Sequence, residues 1–214
     1  MVGRSKIVVI AAAALLVAQP AGAASHGRNG RIALTRSDGA IWSVTPSGNG
    51  LRRLTPHGSA AGSPAFAPNG RRIVYARYPC DDSGSNCVRA DLWAMDADGS
   101  NQEQLTSTSD SEDEPAWSPD GSEIAYASSS GGAGGDTSYG IWVMNADGSL
   151  SHQLTQTGHS ASWSPDGKRS AYVAHNHVLV LSVASGRSRN LTPGHVYARD
   201  PAWSPDGRRI AASL

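Results

Sequence analysis

From about residue 31 onward, short apolar runs alternate with clusters of turn residues, and no stretch keeps a helical period. Ile73-Val-Tyr-Ala-Arg77, Ile124-Ala-Tyr-Ala-Ser128 and Ile141-Trp-Val-Met-Asn145 carry β-branched and aromatic residues. Each is bounded by Gly, Pro, Asp or Asn, which predicts strands of an all-β chain. The runs also repeat. Pro115-Ala-Trp-Ser-Pro-Asp-Gly121 returns as Ala161-Ser-Trp-Ser-Pro-Asp-Gly167 and Pro201-Ala-Trp-Ser-Pro-Asp-Gly207, with a looser copy at Pro64-Ala-Phe-Ala-Pro-Asn-Gly70. A second unit, Leu92-Trp-Ala-Met-Asp-Ala-Asp-Gly-Ser100 followed by Leu105-Thr106, returns at Ile141 with Leu154-Thr155. It returns again at Ile41 with Leu54-Thr55, and at Leu179 with Leu191-Thr192.

The copies of the first unit start at 64, 115, 161 and 201, giving intervals of 51, 46 and 40 residues. The longest interval holds the Cys80–Cys87 loop and the next holds Ser128 to Ser138, so the underlying unit is the shortest one. About 40 residues is the period of a four-stranded propeller blade. The first strand of each unit ends in a Pro-Asp-Gly turn, where Pro presets φ and Gly accepts a positive one. The second comes directly after, the third closes on an Asp-Gly hairpin, and the fourth is short and polar, as an edge strand must be. Trp117, Trp163 and Trp203, with Phe66, recur on the first strand, and Trp42, Trp93 and Trp142 on the third. Large rings at repeat positions are expected to fill the space between blades rather than form a binding stripe.

This string resembles the WD-like propeller repeat of the TolB family, and similar repeats occur in the propellers of prolyl oligopeptidase-type peptidases. The resemblance runs over 30–214 and implies a β-propeller of four-stranded antiparallel blades, with repeats near 30–63, 64–114, 115–160 and 161–200 and a partial one at 201–214. Set against that resemblance, neither the N-terminal α/β domain of TolB nor the hydrolase domain of the peptidases is expected within these 214 residues. Two ring geometries remain open. The Trp203 strand completes the first blade of a four-bladed ring, or the repeats form an open arc of a larger or truncated one. An open arc predicts self-association through its blade edges.

The first 23 residues read as a signal peptide. Arg4 and Lys6 precede an apolar stretch from Ile7 to Ala18, too short to span a bilayer comfortably, and Ala21-Gly22-Ala23 supplies a small-residue cleavage pattern. Residues 24–29 form a linker, and the predicted location is periplasmic or secreted. Removing the leader leaves 16 basic against 18 acidic residues, without the clustered bases of a nucleic-acid footprint. Cys80 and Cys87 are the only cysteines. In an oxidising compartment a disulfide closing the intervening loop is expected, with zinc as the rival that lacks adjacent ligands.

Candidate chemistry is sparse. Gly158-His-Ser-Ala-Ser162 lacks the closing Gly of a nucleophile elbow and leads into a strand. Asp96-Ala-Asp-Gly99 and Asn145-Ala-Asp-Gly148 lack the Gly and Glu spacing of a calcium loop. Asp120, Asp166 and Asp206 are assigned to turns. His175 and His177 are two apart, which on a strand faces both to one side, with no third metal ligand in view. The strongest candidate is the acidic run Asp110, Glu112, Asp113 and Glu114 between two blades. Asp200 and Ser63 occupy the position matching Glu114. Such connections lie where a propeller's channel opens, so the expectation is an acidic mouth that attracts cations or a basic peptide. No catalytic set and no cofactor are predicted, and the expected partner is a protein or peptide, bound by a non-enzymatic scaffold. The alternative is the propeller module of a prolyl oligopeptidase-type peptidase, or a degenerate propeller lyase, without its catalytic part.

Overall fold

A computed structural model describes the backbone of residues 6–9 and residues 30–79, 89–129, 139–194 and 197–213. Cys80 and Cys87, the Gly131–Gly135 stretch and most of the expected leader lie outside the described residues. The described chain is built of strands. Sheet I contains β2 (Ile32–Thr35), β3 (Ile41–Val44) and β4 (Arg52–Arg53). Sheet II contains β5 (Ala61–Phe66), β6 (Arg72–Arg77), β7 (Asp91–Asp96) and β8 (Glu103–Gln104). Sheet III contains β9 (Ser111–Trp117), β10 (Glu123–Ser129), β11 (Tyr139–Asn145) and β12 (His152–Gln153). Sheet IV contains β13 (His159–Trp163), β14 (Arg169–Ala174), β15 (His177–Ser182) and β16 (Ser188–Asn190). Sheet V pairs β17 (Arg199–Trp203) with β18 (Arg209–Ser213), whose other edge takes β1 (Lys6–Val9) in a parallel ladder.

Inside sheets II to IV the order is sequential and antiparallel, the meander of a propeller blade. The Pro-Asp-Gly turns show why the motif recurs. Ser118 Oγ donates to Asp120 Oδ1 at 2.7 Å and accepts the Glu123 N–H at 2.9 Å, while Gly121 takes φ +75°. Ser164 with Asp166, and Ser204 with Asp206, repeat the arrangement. The Leu-Thr motif has an equally local cause. Thr55, Thr106, Thr155 and Thr192 each accept, on Oγ1, the N–H of Ile41, Leu92, Ile141 or Val178, so an amide near the start of every third strand is paired. The fourth strands are two or three residues long and exposed, which limits edge pairing.

The hydrophobic core lies between sheets rather than within one. Ile41, Leu54, Ile73 and Met95 join sheets I and II, and Val74, Leu92, Trp117 and Met144 join II and III. Ile141, Val143, Trp163 and Leu181 join III and IV, and Val178, Trp203 and Ile210 join IV and V. The first-strand tryptophans are buried as expected. Those of the third strands are half-buried instead, each with one face against the core or under a cation. Arg36 stands 4.8 Å above Trp42 and Arg77 4.9 Å above Trp93, so long Arg stems shield rings that the blade leaves partly open.

The Trp203 strand does not complete the first blade. It pairs with β18, and among the described residues no ladder joins β17 or β18 to β2. The five sheets therefore succeed one another as an arc, each packed on its neighbour in sequence.

Candidate functional site

The innermost strands all carry the same irregularity. Ser63-Pro64, Glu114-Pro115, Ser160-Ala161 and Asp200-Pro201 are β-bulges, two residues standing opposite the single Tyr75, Tyr126, Tyr172 or Ala212 of the next strand. At three of the four the second residue is Pro, which has no N–H to give the ladder, so the break falls where a hydrogen bond was already missing. The first residue of each pair takes a left-handed backbone, with φ of 49°, 52°, 54° and 49°. A non-glycine residue in that region costs on the order of 1–3 kcal/mol and persists only where surrounding packing enforces it. Four repeats of the strain lie side by side.

The four bulges come together at one place. Ser63, Glu114, Ser160 and Asp200, with the residues next to them in the chain, line a single cavity of about 20 Å³. That is room for about one water-sized group, too little for a sugar or a peptide to enter whole. The cavity sits at the end of the inner strands where the β6–β7, β10–β11 and β14–β15 hairpins also turn.

Of the five predicted acidic residues, the structure brings Glu114 and Asp200 to the cavity and sends the others elsewhere. Asp113 lies beside it, accepting the Tyr78 hydroxyl and, at 2.6 Å on Oδ1, the Glu114 N–H. Burial pushes the Tyr78 phenol up, and the Asp113 charge pushes it further. Glu112 is buried and does not line the cavity. It accepts the Thr106 hydroxyl at 3.1 Å and the Thr108 hydroxyl, and so fixes the loop that leads into β9. Burial raises its pKa despite those donors, with the Asp91 and Asp110 charges acting in the same direction. Asp110 stays at the loop, its N–H donating to Thr108 Oγ1 at 3.0 Å.

Glu114 reaches across from sheet III to sheet IV. Its Oε2 accepts the Ser160 N–H and, at 3.0 Å, the Ser160 hydroxyl, and lies 3.6 Å from His159 Nδ1. Burial pushes the Glu114 carboxyl up, but His159 and Ser160 together outweigh it and hold the pKa below its ordinary value. Contact with Glu114 raises the His159 pKa. Ser160 and His159 were not among the expected mouth residues. The repeat register marks Ser160, since Ala161 stands where the other copies have Pro, but that substitution hides the match.

The remaining candidates are structural. Gly158 has φ +130° and lies against Tyr172, where an added Cβ would fall 2.5 Å from the ring, so packing requires the glycine. The chain runs from it straight into strand β13, not into the turn and helix of a nucleophile elbow. Asp98 and Asp147 accept the N–H of Ser100 and Ser149, each at 2.9 Å, as hairpin residues do. His175 is not on a strand. With Asn176 it forms the β14–β15 turn at φ of 49° and 62°, while His177 Nδ1 lies 2.9 Å from the Thr192 carbonyl. Among the described residues no group of three potential ligands could hold a metal ion.

The overall fold is similar to that of solved TolB structures. The protein superposes on TolB from Acinetobacter baumannii with a TM-score of 0.66 at 20% identity, covering 84% of this chain and 45% of that one. A TolB described as putative, from Agrobacterium tumefaciens, gives 0.69 at 17% identity over 88% and 66%. The chain has the β-propeller fold of these structures. In sequence, the TolB-type repeats are 37% identical over 76 residues to a Tol-Pal system protein TolB of Novosphingobium aromaticivorans, covering 36% of this chain and 15% of that protein. They are 39% identical over 70 residues to dipeptidyl-peptidase 5 of Porphyromonas gingivalis, covering 32% and 10%. They are 26% identical over 189 residues to the uncharacterized peptidase YuxL of Bacillus subtilis, covering 88% and 25%. An oligogalacturonate lyase structure with manganese also shares the propeller, at a TM-score of 0.58 and 18% identity over 80% of this chain and 49% of that one. The TolB-type propeller thus spans a third or less of these curated relatives, and less than two thirds of the solved chains. No family model matches the chain.

Proposed function

We propose that this protein is an exported, non-catalytic TolB-type propeller that binds a basic segment of a partner protein across its axial opening. One observation carries the reading: four repeat-equivalent residues from four successive sheets hold a strained backbone and converge on one cavity, and two of them are carboxylates. Strain of this kind is kept where geometry matters for function. The cavity is too small for a metabolite but suits the tip of one cationic side chain, while the surrounding face supplies area for a peptide. Export rests on the Arg4/Lys6 n-region and the Ala21-Gly22-Ala23 cleavage pattern, and the likeness to TolB structures supports a protein partner outside the cytoplasm.

The test is selection of peptides from a random display library on immobilised 24–214 protein, then titration calorimetry at two salt concentrations. Lys- or Arg-bearing peptides are expected, with affinity falling about tenfold in the Asp113→Asn/Glu114→Gln double variant and falling with salt. Peptides without basic residues, or equal binding by the double variant, would refute the reading. A second reading is favoured by the alignment with a peptidase over most of this chain: the propeller serves as a module beside a hydrolase domain. Turnover of chromogenic dipeptide substrates by a longer chain carrying these repeats would support it.

A further inference from the structure

We propose that His159 and Glu114 form a proton-operated clasp joining sheets III and IV at the axial opening. His159 opens β13 and opposes Val173 of β14, while Glu114 stands on the bulge of β9, in the neighbouring sheet. The two side chains meet at 3.6 Å, and Ser160 couples them: its hydroxyl lies 2.9 Å from His159 Nδ1 and 3.0 Å from the same Glu114 oxygen. The charged groups acting on His159 are Glu114 from β9 and, from β17, Asp200, which favours the imidazolium, and Arg199, which opposes it. An imidazolium at 3.6 Å from the Glu114 carboxylate ties sheet IV to sheet III, with the Asp200 charge of sheet V favouring the same protonated form. A neutral imidazole does not.

Contact with Glu114 raises the His159 pKa above 6.5, so the clasp contributes fully below that value and is lost as pH rises through the folded pKa. The Glu114 pKa is lowered, burial opposing but His159 and Ser160 prevailing, so the clasp is lost again as strong acid protonates it. It is closed between the lowered Glu114 pKa and the raised His159 pKa, and open above the latter. Both side chains keep part of their surface in water, 43% for His159 and 29% for Glu114, so screening keeps the effect modest. If the mouth binds a basic segment as proposed, opening the clasp leaves Glu114 and Asp200 without their internal cation, so that segment gains affinity as pH rises.

The test needs no ligand, and its result is therefore independent of the binding proposal. The His159 ring is titrated by NMR in 24–214 protein and in the Glu114→Gln and Asp200→Asn variants, with exchange of the Ser160 amide monitored across the same pH range. The wild-type midpoint is expected above 6.5, falling by about half a pH unit in Glu114→Gln and by less in Asp200→Asn. Ser160 amide exchange, corrected for intrinsic rate, is expected to slow below the midpoint. A wild-type midpoint at or below 6.5, or one that neither substitution moves, overturns the clasp.

Discussion

The junction between sheets II and III and the junction between sheets IV and V are built from the same repeat, yet they are held differently. At the first, the Trp117 indole N–H donates to the Ala65 carbonyl at 3.1 Å, as Trp163 does to Ala116 one junction further on. At the outer rim Gly148 lies so close to Leu105 that an added Cβ would fall 2.7 Å from its carbonyl oxygen. The junction of sheets IV and V keeps one device, the stacking of a turn glycine on a proline: Gly207 faces Pro165 as Gly121 faces Pro68. It loses the indole bond. Trp203 Nε1 is buried without a partner, and the equivalent carbonyl, that of Ser162, instead receives the Ser170 hydroxyl at 3.4 Å. Ser170 stands where the other copies carry Ile73, Ile124 and Ile210. This junction thus carries a polar residue in an apolar repeat position, and Arg169 stacked 4.6 Å above the Trp203 ring where the others have the indole bond. Repetition of sequence therefore fixes the blade more tightly than it fixes the seam between blades.

The comparison is open to direct attack, beginning at the outer rim. Gly148→Ala places a Cβ against backbone at a φ of +86°, so a loss of roughly 2–4 kcal/mol is expected in urea unfolding. An unchanged midpoint would show that the rim contact is not part of the seam. Trp163→Phe strands the Ala116 carbonyl and is expected to lower stability by about 1–3 kcal/mol. Gly186, the repeat counterpart of Gly148 in sheet IV, has φ +65° and nothing within 4 Å of an added Cβ. Gly186→Ala therefore carries only the left-handed penalty, about 1 kcal/mol, and a loss equal to that of Gly148→Ala would show that the Leu105 contact adds nothing at the rim of sheets II and III. Trp203→Phe loses ring packing as Trp163→Phe does but removes an N–H that has no partner, so its cost is expected to be smaller than that of Trp163→Phe by about 1 kcal/mol. Equal losses in the two variants would mean that the Trp163 hydrogen bond adds nothing to its seam.

The blade was legible in the sequence because its causes are local. Ser118, Asp120 and Gly121 make a turn among themselves, and Thr106 closes a strand only 14 residues behind it, so recurrence of these residues is recurrence of structure. The mouth was half legible for the same reason. Glu114, Asp200 and Ser63 are found by register alone, whereas Glu112 was misplaced because acidic composition suggests water. Its burial depends on Thr106 and Thr108, whose hydroxyls meet it only after the loop has folded. The third-strand tryptophans were expected in the core, but Arg36 and Arg77 cover them from positions that no repeat pattern marks. Ring closure depends on contacts between distant repeats, which no local pattern encodes, and the β17–β18 pairing decides against the four-bladed alternative.

The four inner bulges separate two kinds of inheritance. Their backbone is dictated by the repeat, through the Pro or Ala next in the chain and the ladder slip opposite, while the residue at the bend is Ser, Glu, Ser or Asp without disturbing the blade. Each blade thus presents one interchangeable letter at a fixed address, and the opening spells a four-letter word that is rewritten without re-engineering the scaffold. Asp, Asn and Gly tolerate the left-handed bend best, so variants drawn from that alphabet would change the chemistry lining the cavity while relieving the strain that shapes it.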